Sequence, residues 1–250
     1  MSEMPPVAET PVPEQRSNSF SRIAGVLASP FRTFAEIARK PDWIVPLLLI
    51  AAMSFVSVIV MVPRIDFASS YREAFEAQQN NMSAQDQDRA IRIGTAIGKG
   101  AMYAAPVFSI GWLAVVAAVL MLGIRILGGD IDFVRSMSVT VYAWMPNVLK
   151  SIVAVIVIFS RKTIRIEEAK SIVHSNPSFL ISMKQNPVLF NLLGSLDVFT
   201  IWVVLLLIIG LAAVSKMSMV KTATVVLAGW GVMILISMGS GALAAMRMHG

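Results

Sequence analysis

No cysteine occurs among the 250 residues, which excludes a disulfide framework and a thiolate metal site and leaves the redox state of the compartment unwritten. Charge is scarce as well: Asp, Glu, Lys and Arg make up 14% of the chain, against 56% hydrophobic residues. Histidine is nearly absent. His174 and His249 have no ligand partner at metal spacing. Asp130 and Asp132 flank Ile131 beside Gly128 and Gly129, but a calcium loop needs several more oxygen ligands in fixed register, so a solvated turn is expected. The sequence has neither a Gly-Lys-Ser/Thr phosphate loop nor a Gly-x-Ser-x-Gly elbow. These gaps predict no catalytic, cofactor-binding or metal-binding residues, and a protein that is not an enzyme.

What is present is apolar sequence in long runs. A mean hydropathy of +0.71 over 27.1 kDa is more apolar surface than one soluble core hides, and a bilayer is the natural solvent for it. A hydrocarbon core about 30 Å thick takes about 20 apolar helical residues to cross. Trp43 to Val62, Ala101 to Ile124, Val198 to Val214 and Thr222 to Met246 contain no charged residue. Ser136 to Ser160 adds a fifth stretch, apolar except for Pro146, Asn147 and Lys150. These runs are apolar on every side rather than alternating, so they read as helices and not as barrel strands. The predicted fold is an all-α, polytopic bundle of five transmembrane helices, over about 43–62, 101–127, 136–160, 197–214 and 222–246.

The ends and connections have their own character. Met1 to Asn18, rich in Pro, Glu and Ser without apolar periodicity, reads as a disordered tail. It lacks the apolar core of a cleavable signal peptide, so the first span is expected to direct insertion. Over 20–42, Phe20, Ile23, Ala24, Leu27, Phe31, Phe34 and Ala38 fall on one helical face, with Ser29-Pro30 starting a second helix. This segment either lies in the headgroup plane, with Phe31 and Phe34 interfacial, or packs on the protein's own loops. Arg64 to Lys99 and Arg161 to Leu196 are long polar connections containing short helices. The links at Gly128 to Arg135 and Ser215 to Lys221 are tight, which makes spans two and three, and four and five, antiparallel neighbours.

The net charge of +6 suits a protein whose ends meet anionic headgroups and gives no reason to expect nucleic acid. It does not orient the chain. With the N-terminus inside, the inner segments hold nine Lys and Arg and the outer segments eleven, close to a tie on the positive-inside rule.

The main anomaly is Lys150, since a charge at a helix centre costs roughly 2.5 to 3.5 kcal/mol on insertion scales and needs a partner or water. Ala143, Asn147, Lys150 and Ala154 form one small and polar stripe expected to face the bundle interior. The stripe is either a pathway or, the preferred reading, a buried interhelical bond. Ser237, Gly241 and Ala245 recur every four residues, the small-residue pattern that lets helices approach closely. Asp197 opens the fourth span and reads as a helix-starting carboxylate rather than an ion ligand.

Taken in order, Ser29-Pro30-Phe31 with Phe34 and Ile37, then Pro41, Trp43 and Pro46, Gly128-Gly129 with Phe133, Tyr142 with Pro146, Asp197, Phe199 and Trp202, and Ser215-Lys216 resemble the Ypt-interacting protein (Yip) domain family in its prokaryotic form. The resemblance covers about 23–246. It implies five spans with a cytosolic N-terminus, placing Lys216 and Lys221 in the cytosol and the protein in the inner membrane. Eukaryotic relatives engage Rab-type GTPases in vesicle trafficking; this chain departs in its two charged outer loops and in Lys150. The leading expectation is a non-enzymatic protein that organises or binds other membrane proteins, or itself, within the bilayer, using its N-terminal tail and amphipathic entry helices. A small transporter running past Asn147 and Lys150 is the alternative.

Overall fold

The computed structural model describes residues 18–77, 82–169, 172–173, 175–181 and 186–249. Residues 1–17 of the tail expected to be disordered and His174 lie outside them, while Asn18 is the N-cap of α1. Eleven α-helices form among the described residues: α1 (Ser19–Ala28), α2 (Pro30–Arg39), α3 (Ile44–Met61), α4 (Phe67–Ala77), α5 (Ala84–Ile126), α6 (Phe133–Ala143), α7 (Met145–Phe159), α8 (Ile166–Ala169), α9 (Pro187–Ser195), α10 (Val198–Ser215) and α11 (Met219–His249). Five units are long and apolar enough to cross a membrane: α3 with the 3-10 turn that follows it, α5, α6 with α7, α10, and α11.

Two local departures from simple spans have chemical causes. Pro146 has no N–H to return to Tyr142, so the third span breaks at Trp144 into α6 and α7, and the Asn147 N–H donates three residues back to the Trp144 carbonyl at 2.9 Å. The second span is joined without interruption to the polar helix before it. Capped by the Ser83 hydroxyl, α5 runs 43 residues, about 65 Å, well beyond the thickness of the hydrocarbon core.

The fourth span is the centre of the bundle: half of α10's apolar window is buried, against 11% of that in α11. Packing around it joins Val26, Phe34 and Ile37 of α1 and α2 to Leu113 and Ala117 of α5, Val139 and Tyr142 of α6 and Leu206 and Leu211 of α10 in one core. Where backbones approach, glycine makes room. A Cβ on Gly210 would lie 2.6 Å from Val139 Cγ1 and 2.9 Å from Phe34 Cε1. Ser136 on α6 donates its hydroxyl to the Ala117 carbonyl on α5 at 2.6 Å, joining two spans that share a tight link.

The two long connections pack on each other at one end of the bundle. Ile65 and Ile164 form a single parallel bridge, with the Asp66 N–H on the Ile164 carbonyl at 3.0 Å and the Ile164 N–H on the Arg64 carbonyl at 2.8 Å. Arg165 reaches Glu73 at 3.4 Å, and the Arg64 guanidinium sits 5.1 Å from the Phe159 ring centroid. Both connections therefore lie on the same face, as the two spans that separate them require.

Candidate functional site

The polar groups inside the bundle gather in two knots, one toward each end. The first is built on Asp197, the N-cap of α10, whose Oδ1 accepts the N–H groups of Phe199 at 2.9 Å and Thr200 at 3.3 Å. Its other oxygen meets Lys150 Nζ from α7 at 2.8 Å. The connection after the third span supplies further donors to that oxygen: the Ser175 hydroxyl and Asn176 Nδ2, the latter at 3.4 Å. The Ser175 carbonyl in turn accepts the Val198 N–H at 3.1 Å.

Asp197 is 2% exposed and the Lys150 side chain 33%. A carboxylate so buried is tolerated only when paired and hydrogen-bonded, and here both of its oxygens are occupied. The knot thus joins α7, α10 and the 175–176 turn. It answers the demand that Lys150 makes in the sequence, and the helix-starting role read for Asp197 is present in its two N-cap bonds. The pairing of the two is the feature that sequence reasoning missed, since neither residue type nor spacing points from one span to the other. Asn147 lies one turn before Lys150, half-buried, and its backbone carbonyl accepts the Ser151 hydroxyl at 2.9 Å.

The second knot holds the N-terminal helices against the spans. Asp42, just before α3, accepts from Arg22 NH1 at 2.7 Å, from the Ser19 hydroxyl at 2.5 Å and from the Tyr142 hydroxyl at 3.0 and 3.1 Å. Arg22 also donates to the Lys40 carbonyl at 2.8 Å. Tyr142 is fully buried and Arg22 is 7% exposed, so this arginine belongs to the interior although its helix is amphipathic. The ladder from Pro146 to Tyr142 is broken just where Tyr142 turns toward Asp42.

The segment 20–42 is thereby placed. Its apolar face packs on the spans themselves. Phe34, expected at the interface, is 0% exposed beside Gly210, whereas Phe31 is 66% exposed and Phe20 70%. Gly210 leaves a recess in α10 that Phe34 of α2 and Val139 of α6 fill together. Trp202 is half-buried against the core.

Ser237, the first of the small-residue set on α11, lies where α9 packs, and Asn191 Nδ2 of α9 donates to its carbonyl at 3.0 Å. The helix continues through Gly241 and Ala245, whose side-chain surroundings lie outside the described set. No group of three or more His, Cys, Asp or Glu able to hold a metal occurs among the described residues.

Five apolar helices, one of them broken, held by charged residues that pair inside the bundle, define an integral multi-pass membrane protein. The chain belongs to the Yip1 domain family, whose model matches residues 24–241. It is similar to "Membrane protein YknW" of Bacillus subtilis (strain 168), with 24% identity over 221 residues that cover 87% of this chain and 88% of that protein. The prokaryotic type of the family, read from the order of the motifs, is supported by that relative. No solved structure matches.

Proposed function

We propose that this protein is a non-enzymatic organiser of the inner membrane, which binds other membrane proteins and has its N-terminus in the cytosol. The observation that carries the reading is the engagement of Lys150 by Asp197. A transport pathway needs a polar group that can exchange partners with a substrate, and this lysine is fixed by a carboxylate that the 175–176 turn and the start of α10 also hold. The break at Trp144 favours the transporter alternative, but broken helices in transporters come in matched pairs from two repeats, and five spans do not divide into two halves.

A scaffold needs an exposed platform on a rigid base. The docked α1 and α2 offer one, with Phe20, Phe31 and Arg32 pointing away from the core while Phe34 and Arg22 anchor it. Cross-linking of cells that express the tagged full-length chain, followed by solubilisation in mild detergent and identification of enriched proteins, tests the proposal. The expected result is a reproducible membrane partner whose recovery falls in a Phe20→Ser/Phe31→Ser variant of unchanged abundance. Recovery of the chain alone, in both forms, would contradict it.

A further inference from the structure

A cavity of about 220 Å³ opens between the last turn of α2, the α5–α6 link and the last turn of α10. It lies on the face that carries α1 and α2, at the level where the fourth span ends. In a bilayer that level is the headgroup layer. Ala38, Ala213 and Val214 give it apolar walls, and Arg135, Lys216 and Asp130 give it charge of both signs.

Neither sign alone suits the cavity. An anion would meet Asp130 and the carbonyl end of α10, and a simple cation would meet Arg135 and Lys216. Arg135 is partly engaged by Asp132 at 3.2 Å, yet 40% of its side chain is exposed. Lys216 and Asp130 are both exposed at the rim. Lys216 has a further mark: it closes α10 in the left-handed conformation, φ 56, where glycine is the unstrained choice.

The geometry points to the headgroup of an aminophospholipid, with its phosphate held by Arg135 and Lys216 and its primary ammonium by Asp130 and the carbonyl end of α10. The volume is below the 300–1,000 Å³ typical of sites that enclose a whole ligand. It suits a headgroup whose acyl chains stay in the bilayer beyond the apolar wall.

The experiment is lipid retention by the purified full-length chain in mixed micelles of phosphatidylcholine, phosphatidylethanolamine and phosphatidylglycerol, read by native mass spectrometry. Phosphatidylethanolamine is expected to be retained over both others. Lys216→Gly, which suits the left-handed backbone and so preserves the fold, should weaken that retention about tenfold, and Asp130→Asn should do the same for phosphatidylethanolamine alone. Soluble glycerophosphoethanolamine should displace the lipid where inorganic phosphate at equal concentration does not. The assignment is overturned if phosphatidylglycerol is retained as well as phosphatidylethanolamine, if phosphate competes equally, or if both variants, folded by thermal melting, keep the wild-type preference.

Discussion

Lys150 and Asp197 stand 47 residues apart in the chain and meet at 2.8 Å across two spans. Each answers a problem set by the other: a lysine within a membrane helix and a carboxylate buried at a helix start. Their mutual dependence predicts asymmetric mutant effects. Lys150→Met leaves Asp197 buried without its countercharge. Breaking a buried pair costs about 3–5 kcal/mol, and with a third of the Lys150 side chain exposed about 2 kcal/mol is expected. Thermal unfolding in detergent checks this; a melting point within error of wild type would make the pair dispensable.

Gly210 makes a second prediction with an internal control. Gly210→Ala should push Phe34 and Val139 apart and destabilise the fold by about 1–3 kcal/mol through overpacking. Gly111→Ala and Gly229→Ala, where nothing lies within 4 Å of the new Cβ, should be close to neutral. Chemical unfolding of the three variants in one detergent compares them, and equal effects would remove the proposed seat of Phe34.

Tyr142→Phe removes a hydroxyl shared by both oxygens of Asp42, a loss of about 1.5 kcal/mol for a bond to a charged group. The consequence should be local, since the knot holds α1 to the spans. In a Val26→Cys background, where residue 26 is fully buried, maleimide labelling should accelerate several-fold on adding Tyr142→Phe. An unchanged rate would mean that α1 is held by its apolar face alone.

The absence of native cysteine makes the pairing of the two long connections easy to test. Glu73→Cys with Arg165→Cys, replacing an ion pair at 3.4 Å, should cross-link within one chain with a short bifunctional reagent. Labelling of the two sites from opposite sides of the membrane would contradict the five-span arrangement.

The spans were legible because crossing a bilayer is a demand on length and composition within one segment, and the break of the third span was marked by Pro146. The extent of α5 was less visible: the polar residues from Ala84 to Lys99 and the apolar residues after them carry different solvents' signatures along one continuous helix. What the chain does not write locally is partnership. Asp42 and Tyr142 are 100 residues apart, and nothing in either neighbourhood points to the other. Phe34 and Phe31 share one amphipathic face in the sequence, yet Phe34 is buried beside Gly210 and Phe31 is exposed.

The central claim is that the ionic pair inside the bundle holds structure rather than conducting a substrate. The double variant Lys150→Met/Asp197→Asn tests it most directly, because asparagine keeps the N-cap bonds of α10 while both charges vanish. The account predicts a melting temperature well above that of Lys150→Met alone, with the same cross-linked partners recovered from cells as for wild type. A double variant that folds as stably as wild type yet loses those partners would show that the charges act in function, and would contradict the account.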